Sequence, residues 1–188
     1  MTLLTPVRLN QMKSRKQFFL LFTAGLLIAT FLDQYTKKLA VDHLMGKAPI
    51  VLIPGVFELR YVENRGAAFG MLQGGRILFF ILTAVVLVGI LYILKIIPMT
   101  KRFLPLALTL SLLFYGAVGN LIDRTLNGFV VDFLYFSLID FPVFNVADIY
   151  VTVSAFLLMY LFFFFYQENE LSFIVFPGLR AGSEKERK

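Results

Sequence analysis

Four stretches of this chain are too long and too apolar to be packed inside a protein of its size. They cover residues 17–35, 77–94, 103–122 and 149–166, and the last three contain no charged residue. A helix needs about 20 mostly apolar residues to cross the hydrocarbon of a bilayer. The chain has 188 residues, 59% hydrophobic and only 16% charged, with a mean hydropathy of +0.79. A soluble domain sits nearer about 45–50% apolar and 25% charged. The surplus has to face lipid. The expected fold class is therefore all-α and integral to the membrane, with four transmembrane helices. One membrane-embedded domain covers 1–166, and 167–188 forms a cytoplasmic tail.

The first span follows a basic start (Arg8, Lys13, Arg15, Lys16), as a cleaved signal peptide would. Thr30-Phe31-Leu32-Asp33-Gln34 offers no small-x-small cleavage site, however, and predicts a retained helix. Direction follows from the cations, which concentrate on the cytoplasmic side. The first sixteen residues carry four cations and no acid, and Lys95, Lys101 and Arg102 lie between spans two and three. Between spans three and four one cation, Arg124, faces four aspartates. Both termini are thus expected in the cytoplasm, with Asp33, Asp123 and Asp148 at the outer face. The formal charge of +6 accompanies apolar segments rather than forming a patch, so no nucleic-acid partner is expected.

The outer-face segments, 36–76 and 123–148, read differently. Phe57-Glu58-Leu59-Arg60-Tyr61 alternates with the period of a half-buried strand, and Pro54-Gly55 before it reads as a turn. Residues 128–133 are also strand-like, and Asp140-Phe141-Pro142 marks another turn. A small β-rich subdomain lying apolar face down on the membrane is expected. The polar end of the tail, from Ser183 to Lys188, is expected to be disordered.

The chemistry available is narrow. Cysteine is absent and His43 is the single histidine, which argues against zinc, because its sites usually draw on several His or Cys ligands. No metal and no cofactor is expected. Ionisable groups at membrane depth cost roughly 2.5–3.5 kcal/mol on insertion scales and invite a functional reading. Asp123 closes span three and Asp148 opens span four, so antiparallel neighbouring helices bring both to one depth. Two aspartates sharing a site cannot both ionise cheaply and keep one proton between them, the arrangement of aspartic proteases. The plainer reading stays open beside it: Asp148 favoured by a helix N-terminus with Asn145 as N-cap, and Asp123 paired with Arg124.

Four blocks carry a resemblance. Gly119-Asn120-Leu121-Ile122-Asp123-Arg124, with Gly128 and Val130-Val131-Asp132-Phe133, is similar to a signature of the lipoprotein signal peptidases (signal peptidase II). So are Phe144-Asn145-Val146-Ala147-Asp148, Asn64-Arg65-Gly66-Ala67-Ala68-Phe69-Gly70, and Asp33-Gln34-x-x-Lys37. They occur in the family's order and span about residues 15–166. The resemblance implies a membrane aspartyl endopeptidase of the bacterial plasma (inner) membrane. Its partners would be membrane lipid and diacylglyceryl-modified prolipoproteins, cut just before the lipidated cysteine, with globomycin-type peptides as inhibitors. It implies Asp123 and Asp148 as the catalytic pair. Asn64, Gly66, Asn120, Arg124 and Asn145 would be supporting or substrate-binding residues.

The residues themselves add detail. Asparagine offers donor and acceptor without charge, and Asn120 and Asn145 each stand three residues before an aspartate; a cap or an interhelical hydrogen bond is an equal alternative for either. Asp33 and Lys37 are spaced for an i,i+4 ion pair and are given a structural role. Asp132 is assigned to support of the outer loop. Gly66 and Gly70 permit a tight backbone path, His43 is read as a solvated loop residue, and residues 162–165 as lipid-facing bulk. Ile149 and Ser154 depart from the family pattern without removing a reacting group. The competing function is a small transporter or channel with functional aspartates. Its pathway would need polar groups inside the spans, and in the middle of spans two and three, between Leu82 and Tyr115, only Thr83, Thr109 and Ser111 stand besides Tyr92 and the cytoplasmic link.

Overall fold

The computed structural model describes residues 15–66 and 76–171. The segment 67–70 of the outer-loop block, including Gly70, lies outside the described residues, as do Arg8, Lys13 and the end of the tail.

Helix α1 (Arg15–Leu44) leads into strands β1 (Ile50–Ile53) and β2 (Phe57–Asn64). Helices α2 (Arg76–Ile96) and α3 (Leu104–Leu126) follow, then β3 (Val130–Tyr135) and α4 (Val146–Tyr160), which runs on as a π-helical turn, Leu161–Phe165. Among the described residues three helices are long and apolar enough to cross a membrane: Arg15–Leu44, Leu104–Leu126 and Val146–Phe165. The apolar part described for α2, Phe80–Ile96, is shorter. The coarse architecture is thus mostly helical with a small sheet.

Helix α3 is the central one and packs against α1, α2 and α4. Pro105 starts it, at a position where a missing N–H costs nothing. Around it Phe18, Phe22, Leu87, Leu94, Leu106, Leu110 and Leu161 form an apolar cluster joining all four helices. At that end Arg15 donates to the backbone carbonyls of Leu94, Lys95 and Ile97. The last turn of α2 has carbonyls without helical partners, and a cation there also complements the helix dipole.

The three strands form one antiparallel sheet in the order β1-β2-β3, with Ile50 opposite Leu59 and Glu63 opposite Val131. The turn at Pro54-Gly55 is formed, with Gly55 at φ +70° where side chains are strained. Val131 and Phe133 pack on Ala40 and Leu44 of α1, which seats the sheet on that helix.

Several local expectations are corrected. Helix α1 does not stop near Tyr35 but continues to Leu44, so His43 is an exposed helical residue bonded to the Leu39 carbonyl rather than a loop residue. The polar extension is helical because Lys37–Asp33 and Lys38–Asp42 make i,i+4 pairs at 2.8 and 2.9 Å. Asp123 lies inside α3, one turn before its end. Strand β2 does not alternate between buried and open sides: all eight residues are half-buried, and all four of β1 are exposed.

Candidate active site

The polar centre sits where the first turn of α4 meets α3, α1 and β3. Asn145 caps α4: its Oδ1 accepts the Asp148 N–H at 3.0 Å, and the Asp148 carboxylate accepts the Asn145 N–H at 3.2 Å. This reciprocal box uses two helix N–H groups that otherwise lack partners. A third, that of Ala147, donates to Asp33 Oδ1 of α1 at 2.9 Å. The start of α4 is therefore fixed by side chains from two elements, and Asp148 with it.

Lys37 is the hub. Its Nζ stands 2.8 Å from Asp33 Oδ2, 2.9 Å from Asp123 Oδ2 and 3.0 Å from Asn120 Oδ1. A buried charge is tolerated only when paired and hydrogen-bonded, and this one has three partners for its three donors. Asp123 is saturated in turn. Besides Lys37 it accepts the Gln34 amide at 2.9 Å and the Val131 N–H at 3.3 Å. It therefore ties α3 to both α1 and β3.

The other two aspartates receive neutral donors. Asn120 Nδ2 donates to Asp148 Oδ1 at 2.7 Å. Asp132, on β3, accepts Asn145 Nδ2 at 2.6 Å and Asn64 Nδ2 at 2.8 Å. Burial, and then the neighbouring charge of Asp148, raise the Asp132 carboxyl to about 6, against the opposing pull of the two asparagine amides and Lys37. The guanidinium of Arg124 lies near Asp148, Asp132 and Asp123, and it reaches the Gly66 carbonyl at 3.5 Å. Asn64 Oδ1 holds the Gly66 N–H at 3.1 Å, which turns the chain directly after β2.

The residues picked from sequence thus converge: Asp33, Lys37, Asn64, Gly66, Asn120, Asp123, Arg124, Asp132, Asn145 and Asp148 form one connected polar cluster. The Asp33–Lys37 pair is present, and it extends to Asp123. Asp132 bonds across to Asn145 as well as to Asn64, so its contacts reach past the outer loop into the cluster. Gln34 received no role from sequence, although it stands inside the quoted Asp33-to-Lys37 block. Its amide touches Asp33, Gly119 and Asp123 at 3.1, 3.3 and 2.9 Å. Ser154 is fully buried with its hydroxyl on the Tyr150 carbonyl, while Ile149 is turned outward.

A family model described as "Signal peptidase (SPase) II" matches residues 25–164. The chain belongs to the signal peptidase II family. A lipoprotein signal peptidase of Brevibacillus brevis is 46% identical over 136 residues, covering 72% of this chain and 89% of the relative. Those of Caldanaerobacter subterraneus and Symbiobacterium thermophilum are each 48% identical. The first covers 71% of this chain and 90% of its own length, the second 70% and 87%. Two solved structures, each described as a bacterial membrane enzyme, superpose with TM-scores of 0.65 and 0.67 at 31% and 30% identity. They cover 79% and 82% of this chain, and 88% and 97% of their own. As a signal peptidase II, the chain is a membrane aspartic peptidase that removes signal peptides from prolipoproteins. The match spans α1 to α4 and so contains every residue of the polar cluster.

Proposed function

We propose that Asp132 and Asp148 are the catalytic pair of this signal peptidase, and that Asp123 belongs to the framework holding them. The observation that carries this reading is that one residue, Asn145, holds both acids: its Nδ2 donates to the buried Asp132 at 2.6 Å and its backbone N–H to Asp148 at 3.2 Å, close enough for the charge of Asp148 to help push the Asp132 carboxyl up to about 6. An aspartic pair has to share one proton between its two acids. The sequence points to Asp123 as the partner of Asp148. A carboxylate neutralised by a lysine at 2.9 Å is instead a poor candidate for trading protons in turnover.

In the reaction, the ionised member takes a proton from water as the water oxygen attacks the scissile carbonyl carbon. The protonated member donates to the carbonyl oxygen and stabilises the tetrahedral intermediate. A proton then passes to the departing amine and the C–N bond breaks. Asn120 and Asn145 each donate an amide hydrogen to one member of the pair, and Asn64 gives a second to Asp132. The substrate is a prolipoprotein whose cysteine carries diacylglycerol, cut before that cysteine, and globomycin-type peptides compete for the site.

The site lies near the outer face of the bacterial inner membrane, with α2 as the fourth span and both termini cytoplasmic. Arg15, Lys95 and Arg102 cluster at the opposite end, as the bias of cations toward the cytoplasm requires. Because the chain has no cysteine, single cysteines at Leu126 and Lys101 give a clean topology test. An impermeant thiol reagent added outside should label the first only, and the reverse pattern would invert the orientation.

The dyad is tested with a diacylglyceryl-modified prolipoprotein in the presence of chelator. Asp132→Asn and Asp148→Asn should each fold and lose turnover on the order of 10⁴-fold or more, the scale expected for a reacting group. Folded Asp123→Asn should retain cleavage. Retained activity in Asp132→Asn, with none in folded Asp123→Asn, would return the role to Asp123.

A further inference from the structure

We propose that Lys37 is a positioning residue for the peptidase reaction: it fixes which way round the Asn120 amide sits, so that Nδ2 is always presented to Asp148. The inference rests on Asp148 being a member of the catalytic pair, whichever aspartate is the other.

An asparagine amide has nearly the same shape in both orientations, and only its partners decide which end faces where. Here the partners leave no choice. The Lys37 ammonium is donor-only, and it meets Asn120 at 3.0 Å, so the end turned to it has to be the oxygen. A second donor, Asn145 Nδ2, reaches the same oxygen at 3.2 Å. The orientation of Asn145 is itself determined, because its oxygen is taken by the Asp148 N–H of the helix cap. Its amide hydrogens are left for Asn120 and Asp132. With its oxygen engaged twice, Asn120 turns Nδ2 onto Asp148 Oδ1 at 2.7 Å. The reverse orientation would place N–H against ammonium, N–H against amide N–H, and carbonyl oxygen against carboxyl oxygen. Lys37 and Asn120 are both buried, and buried polar groups with mismatched partners have no water to relieve them.

Lys37 therefore acts at one remove. It does not reach Asp148 by a hydrogen bond of its own; it secures the donor that does. Without it, Asn145 alone opposes rotation of the Asn120 amide, and Asp148 loses its donor for part of each turnover.

The test is a double-mutant cycle in kcat on the full-length enzyme with diacylglyceryl-modified prolipoprotein. Asn120→Ala should lower kcat about 10²-fold, as loss of a preorganised donor does. Lys37→Met should lower it roughly tenfold or more in the wild-type background, with KM changed little, as outer-shell partners do. In the Asn120→Ala background the same Lys37→Met change should cost clearly less, the remainder being the loss of a positive charge near Asp132. Equal losses in the two backgrounds would show Lys37 working only through its ion pairs, and would overturn the proposal. Should Lys37→Met fail to fold, Lys37→Gln decides. It removes the charge of the ion pairs but still offers an N–H to Asn120 Oδ1, so kcat should stay within a few-fold of wild type. A kcat as low in Lys37→Gln as in Asn120→Ala would show that the charge, not the donor to Asn120, is what matters, and would overturn the proposal equally. Failure of the Asp132 assignment would show separately, as activity in Asp132→Asn with this cycle unchanged.

Discussion

Asp123 and Lys37, 86 positions apart in the chain, meet at 2.9 Å with 3% and 4% of their side chains exposed. Without the Asp123 charge Lys37 still has Asp33 at 2.8 Å, but an asparagine can accept through one oxygen only, so one of the buried donors Lys37, Gln34 and the Val131 N–H loses its acceptor. Asp123→Asn should accordingly destabilise the protein by about 1–3 kcal/mol, read as a lower unfolding midpoint in detergent. Asp123 also accepts the Val131 N–H at 3.3 Å, so the loss should extend to the start of β3. Hydrogen exchange there should speed up in the variant. Unchanged stability would mean that Asp123 is not the framework residue its contacts describe.

Asp132 leads to the opposite expectation. Its carboxyl is raised from 3.8 to about 6, chiefly by burial and then by Asp148. The groups facing it are Asp148 and Asn145 of α4, Lys37 of α1, Arg124 of α3 and Asn64 of β2. The folded protein thus holds this proton more tightly than the unfolded chain does. Between about pH 4 and pH 6 the folded state binds more protons, so this residue's contribution to stability falls as pH rises through that window. Below it both states are protonated and there is no penalty; above it the penalty is full, on the order of 3 kcal/mol. Asp132→Asn removes the titration. Whatever constant cost its lost acceptor brings, the variant's stability relative to wild type should rise from pH 4 to 6 and then level off. Unfolding midpoints across pH 4–8 check this, and a flat difference would sink it.

The two cases explain what could be read from the chain and what could not. Three long apolar helices were legible because hydropathy is a local property, and so was the Asn145 cap, which needs only residues three apart. The Asp33–Lys37 pair was legible from i,i+4 spacing. Lys37 with Asp123 was not, since nothing local relates positions 37 and 123. The different surroundings of Asp123 and Asp132 were hidden for the same reason. Both stand in the same sequence block, and they differ in that Lys37 of α1 pairs directly with Asp123, while Asp132 is held by two asparagine amides. The end of α1 was misjudged because hydropathy marks where lipid stops, whereas the helix continues on the Lys38–Asp42 pair.

The close approach of α3 and α4 depends on two glycines, which gives a last prediction. A Cβ on Gly116 would stand 2.5 Å from the Ala147 carbonyl oxygen and 2.8 Å from Val151 Cγ2. On Gly119 it would stand 2.6 Å from Asp33 Oδ2 and 3.1 Å from Ala147 Cβ. Neither the backbone nor a carboxylate held by several hydrogen bonds can yield cheaply, so Gly116→Ala has to push α4 away from α3, and Gly119→Ala has to push α3 off both Asp33 of α1 and Ala147 of α4. Overpacking of this kind costs about 1–3 kcal/mol. It would also lengthen the 2.7 Å contact between Asn120 and Asp148, because Asn120 rides on α3 and Asp148 on α4. Gly116→Ala and Gly119→Ala should therefore lower both the unfolding midpoint and kcat. Gly89 of α2 is the control: among the described residues nothing lies within 4 Å of its Cβ position, and alanine is the better helix former by about 1 kcal/mol. Gly89→Ala should leave kcat unchanged and stability equal or higher. Equal losses at all three positions would mean that glycine serves helix flexibility in general, and would remove close packing as the reason the two helices deliver their side chains together.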